Sequence, residues 1–329
     1  MLIDPELLWQ ESATAGLHER NGSSADVVSA EIESGLCARP AFIASKYLYD
    51  PLGSKLFEAI CLLPEYYPTR TEAAIFDANM QGIGHAVGQG STLIDLGAGN
   101  CAKAAHLFPV LKPKCYVPID ISADFLGHAL ASVQRRFPDI EMTGIGLDFS
   151  TNLDLPASLR NEQRVFFYPG SSIGNFSPPE ATSFLRRMRA QCQDDGAVLL
   201  GVDLIKDKNT FDAAYDDALG VTAAFNLNIL RHVNALLNTN FRLEDWAHQA
   251  GFNAAESRVE MHLQAQRDLD VSWPGGHRHF SRGERIHTEN SYKYTLESFI
   301  EMLSAAGFDD VSYWTDARGW FAVVHGRAA

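Results

Sequence analysis

The chain has 329 residues, of which 46% are hydrophobic and 21% charged. That composition excludes a mainly disordered chain, a collagen-like repeat and a disulfide miniprotein, and the length predicts about two domains or one large α/β unit with an insertion. Acidic residues outnumber basic ones 41 to 27, for a net charge of −14, which argues against a nucleic-acid footprint or a polybasic membrane anchor, since both need clustered Lys and Arg.

At the N-terminus, Asp4 and Glu6 stand where a signal peptide needs a basic and then an apolar stretch. No run of about 18 apolar residues follows anywhere, so no transmembrane helix is expected and the protein reads as cytoplasmic. Cys37, Cys61, Cys101, Cys115 and Cys192 are odd in number and widely spaced with no CxxC; they read as reduced thiols rather than metal ligands. After the polar NGSSAD, Asp26 is expected to cap a helix over VVSAEIESGLC. Pro51, Pro64 and Pro68 interrupt helical spacing through residues 45–80, so LPEYYPTR reads as a fixed loop leading into a helix at TEAAIFDANM.

Residues 91–205 alternate apolar strands with amphipathic helices: STLIDLG, CAKAAHLFPVL, CYVPIDIS, SADFLGHALASVQRRF, EMTGIGLDF, RVFFYPGSS, PPEATSFLRRMRAQC and GAVLLGVDLI. That rhythm predicts an α/β fold with a parallel sheet covered by helices on both faces and ligands at the carboxyl ends of its strands. Residues 206–290 break it. TFDAAYDDALGVTAAFNLNILRHVNALL reads as one or two long helices, and RVEMHLQAQRDLDVSWPGGHRHFSRGERIHTENS, with its Trp273-Pro-Gly-Gly turn, reads as short antiparallel strands of a separate α+β lobe. The chain then returns to a helix, TLESFIEMLSAAGF, and two strands joined at residues 316–319. The expected division is a nucleotide-binding domain of residues 65–205 and 293–329 and a substrate-binding lobe of residues 1–64 and 206–292.

The strongest local motif is Asp95-Leu-Gly97-Ala-Gly99-Asn-Cys-Ala-Lys103, a strand, a glycine turn and a helix in that order. Without Cβ atoms, Gly97 and Gly99 let the backbone turn tightly and approach a ligand. Asp120 ends the next strand, 21 residues after Gly99, and suits a ribose diol whose two hydroxyls donate. Asp148-Phe149 ends the third strand and suits an adenine amine and ring face. GxGxxA also fits NAD-dependent oxidoreductases, and a bare structural turn as well. S-adenosylmethionine is favoured by Asp95 two residues before the first glycine, by the acidic position after the third strand, and by a closing helix and hairpin like those of class I methyltransferases.

The sequence resembles the histidine-specific Nα-methyltransferases of ergothioneine biosynthesis, which use S-adenosylmethionine to make hercynine. The resemblance runs from about Tyr49 to the C-terminus through YDPLGSKLFEAI, LPEYYPTRTEAAI, DLGAGNCAK, PGSSIGN, LLGVDLIKD, AAYDDALGVTAAFN, HTENS and YWTDARGWFAV. It implies a class I methyltransferase Rossmann-like sheet. It gives cofactor roles to Gly97, Lys103, Asp120, Asp148 and Phe149. It gives substrate roles to Tyr66, Asn175, Tyr215, Met261, Glu289 and Ser291, with Asn175 and Tyr215 on the α-carboxylate and Glu289 and Ser291 on the imidazole. Tyr49 and Phe57 would wall the catalytic pocket, with Tyr67 a further candidate. Departures are modest: Ala98 replaces a common Ser, Ser172 a common Thr, and Asn290 an aliphatic residue, whose side chain should point away from Glu289 and Ser291. The retained Glu and Ser favour imidazole over the indole of tryptophan-methylating relatives. The expected partner is L-histidine, and the expected state a monomer without metal.

Taken singly, these residues have plainer readings. Glu289 alone is a solvated carboxylate, Met261 is core, Asn175 is a turn residue and the YY of EYYP is packing. Asp216-Asp217 lacks a third ligand for a metal, and His277, His279 and His287 are spaced for a strand face and a loop. The functional reading rests on their joint presence.

Overall fold

The computed structural model describes residues 9–11, 17–20 and 25–329. Asp4, Glu6 and residues 21–24 of the polar stretch lie outside the described residues. The chain opens with β1 (Trp9–Glu11), β2 (Leu17–Arg20), α1 (Ala25–Cys37), β3 (Ala41–Phe42), α2 (Pro51–Ile60) and α3 (Tyr67–Val87). The alternating region follows as β4 (Thr92–Leu96), α4 (Ala102–Leu111), β5 (Cys115–Asp120), α5 (Ala123–Arg136), β6 (Glu141–Met142), β7 (Gly144–Gly146), β8 (Arg164–Tyr168), α6 (Pro178–Gln191) and β9 (Ala197–Asp203). Next come α7 (Lys208–Tyr215), α8 (Val221–Leu237), β10 (Trp246–Asn253), β11 (Arg258–Ala265), β12 (Leu269–Trp273), β13 (Gly276–Phe280) and β14 (Arg285–Tyr292). The chain closes with α9 (Leu296–Ala305), β15 (Phe308–Thr315) and β16 (Phe321–Ala328).

Packing divides these elements into two units. The first holds β1, β2, Thr71–Leu204 and Tyr294–Ala329; the second holds residues 25–70 and Ile205–Lys293. In the first, a ten-stranded sheet runs β1-β2-β7-β5-β4-β8-β9-β16-β15, with β6 beside β5. The strands from β7 to β9 are parallel, and β16 is antiparallel to both β9 and β15. Every residue of β4, β8 and β9 is buried, the continuous apolar signature of strands covered on both faces. Leu93, Val165, Phe167, Leu199 and Val323 of the sheet form one core with Ile75, Phe76 and Ile83 of α3 and Leu107, Phe108 and Leu111 of α4. The β15–β16 turn is fixed by Asp316, whose carboxylate accepts the backbone N–H groups of Arg318, Trp320 and Phe321.

The second unit is built on a four-stranded sheet, β10-β11-β14-β3. Burial alternates strictly along β11, so this sheet has one packed face, against which α7 and α8 lie. Helix α2 is fastened to α8 by Asp50. Its carboxylate caps α2 through the Gly53 N–H at 2.7 Å and also accepts from Asn228 Nδ2 at 2.6 Å and from Arg231 at 3.1 Å. Only glycine fits at position 53, because a Cβ there would fall 1.8 Å from the Leu48 carbonyl oxygen. Strand β14 carries a bulge. Met261 pairs with Glu289 and His262 with His287, which leaves Thr288 extra. The extra residue reverses the side-chain alternation. Glu289 and Ser291 share the buried face with Met261 and Val259, while His287 and Asn290 take the other face and bond to each other at 2.8 Å.

Several expectations needed correction. Helix α3 begins at Tyr67 rather than at the TEAAIF segment; Pro68 sits in its first turn, where a missing N–H costs nothing. Asp26 lies inside the first turn of α1. The third strand splits into β6 and β7. The segment 210–237, read as one or two long helices, is two, α7 and α8: Asp217, tempting as half of a metal pair, caps α8 by accepting the N–H groups of Val221 and Thr222. Strand β10 was not anticipated. The sequence assignment puts residues 1–64 with the substrate lobe, but the β1–β2 hairpin pairs with β7 of the first unit's sheet. No helix among the described residues is long and apolar enough to cross a membrane.

Candidate active site

In the first unit, the expected cofactor residues collect at the carboxyl ends of β4, β5 and β7. Gly97 and Gly99 both take positive φ, 68° and 51°, which glycine adopts without strain. A Cβ at Gly97 would meet the Phe149 ring at 3.7 Å, and one at Gly99 would point into open space. Asp120 braces this turn: one carboxylate oxygen accepts the Gly99 N–H and the other the Ser122 N–H, each at 3.0 Å. Burial raises its pKa, and these N–H groups pull it back. Each oxygen keeps a lone pair for a further donor such as a sugar hydroxyl. Asp148 accepts from the Ser150 backbone and hydroxyl, and the Phe149 ring stacks on Phe184 at 5.9 Å. A turn with room at its glycines, a carboxylate with spare lone pairs and an aromatic face together fit an adenosyl group.

Lys103 points back to α3, where the buried Glu72 accepts its ammonium at 2.6 Å. The other oxygen of Glu72 accepts the Gly170 N–H at 2.7 Å, so one carboxylate ties the helix after the glycine turn to the PGSS loop. That loop continues into a short 3-10 turn, Ser172–Asn175, which carries Asn175. Asp95 is buried, and its pKa rises to about 7 through desolvation, opposed by the Tyr116 hydroxyl bonded to it at 2.7 Å.

In the second unit, the expected substrate residues gather around an aromatic group. Tyr49 meets Phe57 edge-on at 5.7 Å, Phe57 meets Tyr66 at 6.1 Å, and Tyr66 meets Tyr215 at 6.2 Å. Phe225 of α8 completes it, 5.5 Å from Tyr49 and 5.9 Å from Phe57. Burial, then the nearby Tyr215, Cys61, Tyr49 and Glu289, push the Tyr66 phenol well above its ordinary range, so it stays a neutral hydroxyl. Tyr67 is instead engaged by Lys206, which donates to its hydroxyl at 2.7 Å.

Beside this group, β14 presents Glu289 and Ser291, two residues apart and both buried. The Tyr215 hydroxyl donates to Ser291 Oγ at 2.8 Å. The end of α7 that holds Tyr215 is pinned by His248, whose Nε2–H donates to the Tyr215 carbonyl at 2.9 Å while its Nδ1 accepts from Asn226 at 2.9 Å. Burial lowers the His248 pKa, which keeps the ring neutral, as this pairing needs. Desolvation raises the Glu289 carboxyl from 4.5 to about 7, and the Lys293 charge opposes it. Lys293 itself is buried and donates to both Tyr215 and Ser291. The arrangement offers a small polar ring one carboxylate acceptor and one hydroxyl, with aromatic faces alongside.

Thus Tyr49, Phe57, Tyr66, Tyr215, Met261, Glu289 and Ser291 all fall in the second unit, and Gly97, Lys103, Asp120, Asp148, Phe149 and Asn175 in the first. His277 and His279 lie on the exposed side of β13, where His279 pairs with Asp270 at 3.0 Å. No group of three or more His, Cys, Asp or Glu among the described residues is placed to hold a metal. Sequence reasoning missed Glu72, Phe225 and Lys293. Each lies inside or beside a quoted segment (TRTEAAI, TAAFN, TENSYK), but nothing in one sequence marks a glutamate or lysine as buried.

A family model described as histidine-specific methyltransferase, SAM-dependent, matches residues 28–328. The histidine N-alpha-methyltransferase of Mycolicibacterium smegmatis is 36% identical over 314 residues, covering 92% of this chain and 95% of that protein. The enzyme of the same name from Mycobacterium tuberculosis is 36% identical over 307 residues, covering 89% and 92%. Ergothioneine biosynthesis protein 1 of Neurospora crassa is 30% identical over 286 residues, covering 84% of this chain and 32% of that protein.

Proposed function

The chain belongs to the histidine-specific, S-adenosylmethionine-dependent methyltransferases, and from that premise we propose that it methylates the α-amino group of L-histidine three times, giving hercynine for ergothioneine biosynthesis. The same reading makes it a monomeric cytoplasmic enzyme. The observation that carries the substrate assignment is the buried pair Glu289 and Ser291 on one face of β14.

When bound, the cofactor supplies an electrophilic methyl carbon on a cationic sulfonium. In this reading Asp120 accepts the ribose hydroxyls, Asp148 and Phe149 take the adenine, and Gly97 and Lys103 line the remainder. Glu289 accepts an imidazole N–H, a charge-assisted bond worth roughly 1.5–3 kcal/mol, and Ser291 donates to the other ring nitrogen. Asn175 takes the carboxylate, while Tyr215, expected beside it there, keeps its one hydroxyl hydrogen on Ser291. Methyl transfer to an amine is an in-line displacement by a lone pair and needs no covalent enzyme intermediate. Orienting the reactants therefore supplies most of what the protein contributes, up to about 7–11 kcal/mol in ideal cases. Three methylations leave a fixed positive charge, which the faces of Tyr49, Phe57 and Tyr66 stabilise by about 0.5–2 kcal/mol.

Indole has one donor and no acceptor, so tryptophan leaves the Ser291 hydrogen without an acceptor on the ring. Incubation with S-adenosylmethionine and each of the twenty amino acids, read by mass spectrometry, tests the assignment. Mono-, di- and trimethylhistidine are expected. Folded protein that binds S-adenosylhomocysteine but methylates no histidine overturns it.

A further inference from the structure

Lys293 is a lysine only 3% exposed, two positions beyond Ser291 and just past the end of β14. Its ammonium donates to Ser291 Oγ at 2.8 Å and to the Tyr215 hydroxyl at 3.0 Å, and it stands 5.0 Å from the centre of the Tyr215 ring. A buried ammonium is costly to desolvate and is retained only with good partners. Two of its partners are hydroxyls, and what matters is the direction in which each hydrogen points.

A serine hydroxyl has one hydrogen and two lone pairs. An ammonium has no lone pair, so Ser291 can only accept from Lys293. Between the two hydroxyls the phenol is the stronger acid, so Tyr215 donates and Ser291 accepts, as the 2.8 Å contact is oriented. Both lone pairs of Ser291 are then occupied, and its hydrogen is the one bonding capacity left. Burial pushes the Glu289 carboxyl up and the same ammonium opposes that shift; in its ionised form Glu289 only accepts.

Resting on the histidine reading, we propose that Lys293 is a positioning residue that sets the polarity of ring recognition: with Tyr215 it commits Ser291 to donate, while Glu289 accepts, so the site takes a neutral imidazole in one tautomer. An imidazolium has two donors and no acceptor, and it would set an N–H against the Ser291 hydrogen. A donor-only ring fails at the same atom.

The test is a double-mutant cycle on the full chain. Lys293→Met should raise KM for histidine about 10- to 100-fold, the range of a lost hydrogen bond to a charged group. kcat at saturating histidine and the S-adenosylhomocysteine affinity should stay within about threefold. In a Ser291→Ala background, the same change at Lys293 should add less than threefold, because its target is gone. Full multiplication of the two effects, an unchanged KM in Lys293→Met, or equal losses in KM, kcat and cofactor affinity would each overturn the proposal.

A second measurement leaves Lys293 intact. Pyrrolylalanine, which keeps a ring N–H but has no acceptor nitrogen, should compete with histidine about 100-fold more weakly on the wild-type protein. Competition within threefold overturns the assigned polarity. A wild-type enzyme that methylates no histidine instead removes the reading beneath it, which separates the two failures.

Discussion

The carboxylate of Asp120 accepts the backbone N–H of Gly99 at 3.0 Å, so the end of one strand holds the glycine turn that leaves its neighbour. The same oxygens are those assigned to the ribose, which links the shape of the turn to cofactor affinity. In Asp120→Asn an NH2 replaces one oxygen and faces either the Gly99 or the Ser122 N–H, donor against donor. The expected loss in S-adenosylhomocysteine affinity is about 10- to 100-fold by calorimetry. Affinity within threefold of wild type would remove Asp120 from the cofactor site.

Glu289 predicts a pH dependence of stability in the ligand-free protein. Burial raises its carboxyl from 4.5 to about 7, so between those values the folded state holds a proton the unfolded chain has released. Its contribution is fully present below pH 4.5 and is lost as pH rises toward 7. Glu289→Gln does not titrate, so the stability of the variant minus that of wild type should grow across this window by at most about 3 kcal/mol. Urea midpoints at a series of pH values measure it. A flat difference would place the carboxyl in water.

The aromatic group predicts a separation between stability and product retention. Phe225 is 2% exposed and touches both Tyr49 and Phe57, so Phe225→Ala should cost roughly 3–5 kcal/mol of stability. Phe57 is only half-buried. Phe57→Leu should fold normally but bind the trimethylated product several-fold more weakly, through loss of a ring facing the fixed cation. Equal product affinity in Phe57→Leu, by calorimetry, would end the cation–π assignment.

Glu72 predicts a coupling within the first unit. Glu72→Gln keeps one acceptor for Gly170 but turns an NH2 toward the Lys103 ammonium or toward that N–H. About 1–3 kcal/mol of stability should be lost, with weaker S-adenosylhomocysteine binding as the PGSS loop and Lys103 lose their shared anchor. Unchanged melting and unchanged binding would show that the link does not matter.

The α/β core was legible in the sequence because its strands are buried on both faces and write continuous apolar runs, as TLIDL and AVLLGVD do. The glycine turn was legible because positive φ narrows the choice of residue. Strand β10 was not, because WAHQAGFN mixes polar residues and a glycine with half-buried positions and gives no clear period. The β1–β2 hairpin is too short to show one. Glu289 and Ser291 were singled out through the family resemblance; alternation alone would also have placed His287 beside Glu289, and only the extra Thr288 sends it to the other face. Lys293 was hidden for a simpler reason: single-sequence reasoning puts lysine at the surface.

That extra residue also lets one strand obey two opposite odd–even rules. Parity along a strand normally counts back through every preceding residue to the last turn, and at Thr288 the count slips by one, two positions before Asn290. Ile286 therefore faces inward at an even position, and Glu289 and Ser291 at odd ones, within a single strand. Removing Thr288 alone should restore a regular ladder in which His287, opposite His262, and Glu289, opposite Met261, still face opposite ways.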